Sequence, residues 1–493
     1  MELQKTPPLF DVAVIGGGIN GVAVARNAAL RGLRVFLCEK NDLASGTSFG
    51  SPKLIHGGLR YLEQNAFWMV RKSLKEREIL ARTAPHMVEP MGFIIPHGKG
   101  SRPRWLVRAG LFIYDHLART KLFPKSKSVS LDDGVLKPQF KKAFRYTDGW
   151  TDDCRLTVLN AVDAADHGAE IATRTACISA TYHGNYWEVT LSNPEGHTRV
   201  IHAKTLVNAA GPWAEKLMRQ LGLAEYTKKL TLVKVSHIVV PKLFDHEDSY
   251  LLQHTDGRVI FAIPYQEKFT LIGTTDTPVS KPVSKASEKE IEYLCDAASR
   301  YFKSSVSPDD VVWSFSGVRP LIESGDGGNV SKASRDFEIE AVANLPLISI
   351  WGGKLTTHRL VGEKVVDMLA KYVGHIPQST THKKNLVGHP EKMGALTDLY
   401  PWLPKKMAQR FMHAYGSRSR MILEGAHCLE DLGTHFGADL YEAEVNYLFE
   451  YEFAQTGDDI LWRRSKQGLY VSKTEQAELK SYIRKKAEER DSS

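Results

Sequence analysis

Near the start of the chain an apolar run over residues 11–15, polar only at Asp11, passes directly into Gly16-Gly17-Gly18-Ile19-Asn20-Gly21 and then an alanine- and valine-rich stretch ending at residue 30. So short and continuous an apolar run predicts a strand buried on both faces, and residues 22–30 predict a helix. Arg31-Gly32 is a helix stop, and residues 34–38 form a second strand that delivers Glu39 at its end. Similar logic returns twice. A buried strand over 205–208 runs into Ala209-Ala210-Gly211-Pro212-Trp213, and another over 347–351 runs into Gly352-Gly353-Lys354 and a helix at 358–372. Between these segments the texture changes: residues 230–240, 259–273 and 311–318 alternate apolar and polar positions between polar loops, which predicts antiparallel strands. From about residue 384, helical spacing over 401–415, 438–452 and 474–490, with Gly, Pro and Asp breaks between, predicts a helical domain.

The first glycine turn carries the chemistry. Gly16 permits the tight turn, Gly18 lets backbone approach a diphosphate with no Cβ in the way, and Gly21 lets the helix pack against the strand. The helix N-terminus then faces an anion, and Glu39 stands where a carboxylate accepts hydrogen bonds from an unphosphorylated ribose. That arrangement favours FAD or NAD over NADP. The expected fold is α/β: a Rossmann-like domain binding FAD or NAD made of residues 1–90, 150–225 and 313–383, an inserted antiparallel β-sheet domain made of 91–149 and 226–312 that roofs the cofactor, and a helical C-terminal domain over 384–493.

Charge and cysteine usage narrow the setting. The 493 residues include 65 basic and 57 acidic side chains, a net charge of +8 that attracts anionic lipid, nucleic acid or phosphorylated substrates without choosing among them. Cys38, Cys154, Cys177, Cys295 and Cys428 are scattered, with no C-x-x-C pair, which fits a reducing cytosol and no metal site. Residues 1–8 lack a signal-peptide pattern, and no long uncharged apolar stretch predicts a membrane span. Basic residues mixed with large aliphatics, with no RNA-binding signature, argue against a nucleic-acid partner.

Three further stretches attract attention. The loop 40–53, rich in small residues, is too long for a simple connection and is expected against the cofactor, with Thr47 and Ser48 offering hydroxyls. Leu54-Ile55-His56-Gly57-Gly58-Leu59-Arg60-Tyr61-Leu62 reads either as backbone approaching a flat ring with an anion-holding Arg-Tyr pair, or as a glycine-rich turn into a helix at 65–81. Residues 99–125 interleave Lys99, Arg102, Arg104, Arg108, Arg119 and Lys121 with Trp105, Leu111, Phe112, Ile113 and Phe123. That pattern suits an interfacial membrane helix, or a solvated helix with its apolar face in the core.

Together, Asp11–Gly21, Lys53–Leu62, Val207-Asn-Ala-Ala-Gly-Pro-Trp213, Ser236-His-Ile-Val-Val240, Gly273-Thr-Thr-Asp276, Ser316-Gly-Val-Arg-Pro320 and Gly352-Gly-Lys-Leu-Thr-Thr357 resemble the bacterial FAD-dependent aerobic glycerol-3-phosphate dehydrogenases, in that family's order and over most of the chain. Phe49 and Pro52 depart from the small hydroxyl residues usual there.

The resemblance implies noncovalent FAD held by Gly16, Gly18, Ile19, Asn20, Gly21, Glu39, Lys40, Thr47, Ser48, Lys53, Leu54, His56, Gly57, Gly58, Ala210, Gly211, Trp213, Gly353, Lys354, Leu355 and Thr356. It implies oxidation of sn-glycerol 3-phosphate to dihydroxyacetone phosphate, with substrate held by Arg60, Tyr61, His237, Arg319 and Lys354. His237, Arg319 and Lys354 are the expected catalytic groups, with His237 as base, although a strand histidine can equally be structural. Electrons are expected to pass to ubiquinone or another membrane quinone, from a homodimer lying peripherally on the anionic cytoplasmic face of the inner membrane. An oxidase of the same fold that uses O2 is the alternative.

Overall fold

The computed structural model describes residues 8–98, 102–131, 134–282, 285–323, 336–391 and 393–491. Lys99 and residues 1–7 lie outside them. Two sheets organise the main body. In the first, Leu9–Ile15 pairs in parallel with Thr198–Asn208 on one side and Val35–Cys38 on the other, and Leu347–Gly352 extends it in parallel beyond Thr198–Asn208. The antiparallel strands Phe337–Ala341 and Trp187–Ser192 flank this centre. Its middle strand is continuously buried from Asp11 to Ile15 because layers cover both faces. One layer is helical: Ile19–Leu30 packs between Asp153–Asp166 and His358–Val373. A Cβ at Gly362 would lie 2.4 Å from the Ala23 carbonyl oxygen, so only glycine lets these two helices approach so closely.

The second sheet is mostly antiparallel. Its order runs Thr277–Val279, Leu230–Pro241, Phe269–Gly273, Val259–Tyr265, Ser249–Gln253, Glu89–His97, Lys142–Trp150 and Leu54–Ile55, with Trp313–Ile322 also pairing along Leu230–Pro241. It draws on two segments assigned from sequence to the nucleotide domain, because Leu54–Ile55 and Trp313–Ile322 cross over to it. Those crossings bring nucleotide-facing loops and the second sheet onto one cavity.

The C-terminal helices Lys405–Tyr415, Glu442–Tyr451 and Lys473–Asp491 surround a core of their own, built around Phe411, Tyr415, Leu448 and Leu479. Charge ties this cap to the body. Arg155 pairs with Glu452 and donates to the Ala414 carbonyl, and Arg174 meets Asp459 at 2.8 Å. Arg464 grips both oxygens of buried Asp42 at 2.8 Å each.

Helix Arg104–His116 shares a core with the second sheet, its Leu111 and Tyr114 packing with Phe93, Phe144 and Tyr146. Leu111 and Phe123 are core, but Trp105 is 72% exposed and Phe112 57% exposed, joined by Ile113, Leu106, Phe67 and Trp68. The stretch is amphipathic, with its outer apolar side uncovered among the described residues. No helix among the described residues is long and apolar enough to cross a membrane.

Candidate active site

A cavity of about 870 Å³ runs between the two sheets. At one end it is a nucleotide cradle. Gly16 has φ +119° and a Cβ there would lie 2.5 Å from the Ala209 carbonyl oxygen, so the turn requires glycine. Glu39 accepts from Gly17 N at 2.8 Å and from Asn41 N at 2.9 Å, which fixes its carboxylate at the cavity wall; burial pushes its pKa up despite those bonds. Ser48 Oγ accepts from Ile19 N at 2.9 Å, and Thr47 donates to the Val318 carbonyl at 2.5 Å. Both hydroxyls therefore brace the loop as well as line the cavity. Lys40 Nζ lies 4.4 Å from the centre of the Trp213 ring, forming a cation–π wall beside Gly211. At Gly353, φ is +109° and a Cβ would meet Asn20 Nδ2 at 2.8 Å, so a bare backbone faces the cavity between two loops. This cradle, open at the N-terminus of Ile19–Leu30, fits the diphosphate, ribose and ring of FAD.

Farther in, the lining turns cationic. Arg60, Tyr61, Arg319 and Lys354 all reach it, with Lys354 Nζ 4.2 Å from the centre of the Tyr61 ring and 3.1 Å from Met69 Sδ. Arg319 Nη1 lies 3.6 Å from Asp276 Oδ1. His56 lines the same space, its loop tied to the Leu355–Thr357 turn by the bond from His56 N to Thr356 Oγ1 at 3.2 Å.

Of the residues expected from sequence, Gly16, Gly18, Ile19, Asn20, Glu39, Lys40, Thr47, Ser48, Leu54, His56, Gly58, Arg60, Tyr61, Ala210, Gly211, Trp213, Arg319, Gly353, Lys354, Leu355 and Thr356 line the cavity. Four lie behind it. Gly21 is helix packing: a Cβ there would fall 1.9 Å from the Gly16 carbonyl oxygen. Gly57 faces inward, its N–H bonded to Tyr114 Oη at 2.9 Å, while Tyr114 donates to Asp148 at 2.7 Å. Lys53 is fully buried, pairing with Asp153 at 2.7 Å and donating to the Phe49 carbonyl at 3.2 Å. A buried ammonium needs a counter-charge, and Asp153 supplies it. Nearby Phe49 packs edge-on against Trp313 and tilted against Phe315, which suits an apolar side chain at this departure from the family pattern.

His237 is the fourth. It is 0% exposed, stacked at 4.9 Å on Phe315 and covered by Gly273, where a Cβ would fall 2.1 Å from its ring. Among the described residues neither ring nitrogen has a hydrogen-bond partner, and burial, then the charges of Lys53 and Arg319, hold its pKa well below the ordinary histidine value. The expected base is thus a neutral imidazole behind the wall, and His56 is the nearby imidazole that faces the cavity. Asp276, which sequence reading quoted only as part of a motif, also faces it. Its carboxylate in a cationic cavity was the available signal.

Comparison with known proteins agrees with this geometry. Residues 11–367 match the FAD dependent oxidoreductase family and residues 379–489 match the C-terminal domain of alpha-glycerophosphate oxidase. The chain is 43% identical to a glycerol-3-phosphate dehydrogenase of Pseudomonas aeruginosa, over 96% of this chain and 95% of the relative. It is 44% identical to a D-erythritol 1-phosphate dehydrogenase of Brucella abortus, over 96% of this chain and 97% of the relative. The crystal structure of glycerol-3-phosphate dehydrogenase from Bacillus halodurans complexed with FAD superposes with a TM-score of 0.75 at 27% identity, covering 98% of this chain and 95% of that one. Cradle, cavity, cap and sequence together establish that this chain belongs to the FAD-dependent oxidoreductases that carry the alpha-glycerophosphate oxidase C-terminal domain.

Proposed function

We propose that the protein oxidises the secondary alcohol of sn-glycerol 3-phosphate to dihydroxyacetone phosphate. The observation that carries this reading is the placement of Arg60, Tyr61, Arg319 and Lys354 on one cavity with the dinucleotide cradle. Bound FAD supplies the two-electron acceptor. Arg60 and Lys354 hold the phosphate dianion, because Arg319 already has a carboxylate 3.6 Å away while Arg60 has no ion pair among the described residues. Arg319 donates to the alcohol oxygen as negative charge develops there. His56 takes the hydroxyl proton, and His237 stays neutral and supports the wall from behind.

The same reading has electrons leave to a membrane quinone. The cavity wall includes Phe67, Leu106, Val107 and Ile113, from the elements whose outer side exposes Trp68, Trp105 and Phe112. An apolar acceptor would approach there, with the helix resting on anionic lipid at the cytoplasmic face of the inner membrane and the enzyme working as a homodimer, which sedimentation reads directly.

Anaerobic mixing of the holoenzyme with glycerol 3-phosphate should bleach the flavin band, and glycerol should do so far more slowly. Equal rates with both compounds would overturn the phosphate assignment. The variant H56N should lose about 10²–10⁴-fold in kcat with its flavin content retained. A larger loss in H237N than in H56N would return the base to His237. Turnover with a quinone analogue should exceed turnover with dissolved O2; the reverse result makes the enzyme an oxidase.

A further inference from the structure

His56, Gly57 and Gly58 join the strand Leu54–Ile55 to the short helix Leu59–Gln64 that carries Arg60 and Tyr61. The first two are fixed by different elements. His56 N donates to Thr356 Oγ1 at 3.2 Å, on the Leu355–Thr357 turn. Gly57 N donates to Tyr114 Oη at 2.9 Å and reaches Asp148 Oδ1 at 3.3 Å. Tyr114 in turn donates to Asp148 at 2.7 Å, and Arg77 pairs with that carboxylate while donating to the Thr147 carbonyl at 2.9 Å. Tyr114, Asp148 and Arg77 are all buried. A Cβ at Gly57 would lie 2.5 Å from both Tyr114 Oη and Leu74 Cδ2, so the hydroxyl presses directly on bare backbone.

The oxidation described above does not use this network, although burying a carboxylate, a guanidinium and a phenol together carries a large desolvation penalty. Burial, then the charge of Asp148, holds the Tyr114 phenol well above its ordinary pKa, so it remains a donor to the carboxylate. The network meets the cavity loop at the Gly57 amide, one peptide bond from His56. That peptide unit is planar, so an amide held between two acceptors fixes the plane that also contains the His56 Cα. We propose that Tyr114 is a positioning residue for the proton transfer: its hydroxyl, backed by Asp148 and Arg77, locks the His56–Gly57 peptide and so aims the His56 imidazole at the substrate alcohol. The residue acts through His56 from helix Arg104–His116, whose opposite side exposes Trp105 and Phe112. The inference deepens the reading of His56 as base and rests on it.

The test uses FAD-loaded holoenzyme and the variants Tyr114→Phe, H56N and their double variant, mixed anaerobically with glycerol 3-phosphate. Phenylalanine keeps the edge-on ring contact with Tyr146 and removes only the hydroxyl. At saturating substrate, Y114F should reduce its flavin about 10–100-fold more slowly than wild type, since a misaimed base is a geometric loss. Its half-saturating concentration should stay within about 2-fold, because the phosphate-binding cations are untouched. Removing the same hydroxyl in the H56N background should change the rate by less than about 2-fold, since a residue acting through His56 has nothing left to position. Hydrogen exchange gives a second readout: the amides of residues 54–62 should exchange up to about 10-fold faster in Y114F, the loss expected for one hydrogen bond. A wild-type reduction rate in Y114F, an equal slowing in both backgrounds, unchanged exchange, or loss of bound flavin overturns the role of Tyr114 and leaves the base assignment standing. If H56N itself reduces flavin at the wild-type rate, the base assignment falls, and this inference with it.

Discussion

Replacing Lys53 by Met separates a structural lysine from a cofactor ligand. Lys53 Nζ and Asp153 Oδ1 lie 2.7 Å apart with both side chains 0% exposed. Burial alone would lower the lysine pKa, but the charges around it, Asp153 foremost, raise it above the ordinary value. Methionine keeps the length and apolar stem and removes the charge. Asp153 would keep its bonds from Ser51 N at 3.1 Å, Ser51 Oγ at 2.7 Å and Cys154 N at 2.9 Å, but it would lose its direct ion pair, with Lys466, paired to Asp152, as the remaining nearby cation. Breaking one side of a buried pair costs about 3–5 kcal/mol. With an unfolding entropy of about 2.1 cal/mol/K per residue, a cooperative unit of 493 residues should lose about 3–5 °C in Tm. The check is a double-mutant cycle by calorimetry with K53M, D153N and the pair. The double variant should be less destabilised than the sum of the singles by about 1–3 kcal/mol. If K53M melts like wild type but binds FAD more weakly, the lysine contacts the cofactor and the burial argument is wrong.

Further outcomes follow from other features. The buried imidazoles His86, His237 and His358 have depressed pKa values, with His86 near about 3 and His358 near about 4 through burial. Their contribution to stability is full above the unfolded value of about 6.5 and is lost as pH falls toward the folded values. His413, raised by its bond to Glu89, acts in the opposite sense. With His97 lowered as well, four histidines against one predict that the urea midpoint falls between pH 7 and 5.5, and a rise over that interval would refute the assignment. The double variant W105S/F112S should partition about 100-fold more weakly onto anionic vesicles while soluble-acceptor turnover stays at wild type; unchanged partition would place the lipid-facing surface elsewhere. Acid precipitation should release all flavin into the supernatant, and a pellet that stays yellow after washing would indicate a covalent bond.

The nucleotide cradle was legible in the sequence because its contacts are local: Gly16, Gly18 and Glu39 act within a single strand–turn–helix–strand unit. The cap helices were legible for the same reason, through 3.6-residue spacing over a separate core. Long-range burial was not. Lys53 is decided by a carboxylate 100 positions away, and Gly57 by Tyr114 and Asp148, 57 and 91 positions away. Helix Asp153–Asp166 is illegible in the sequence because it is buried on nearly all sides and so shows no amphipathic stripe. The placement of His237 depended on how Gly273 lies across it on the neighbouring strand, a register that spacing along one segment does not encode.

The grip of Arg464 on Asp42 has a consequence for biosynthesis. Asp42 stands four residues after the second nucleotide-binding strand ends at Cys38, while its guanidinium partner is made 422 positions later. A nascent chain released before that arginine would carry a carboxylate lacking its guanidinium partner beside the adenosine end of the cradle, so flavin uptake should await completion of the cap. Ribosome-stalled chains ending before residue 440 should stay colourless in excess FAD, whereas full-length released protein turns yellow, and early yellowing would show that the cradle matures without its late-made strap.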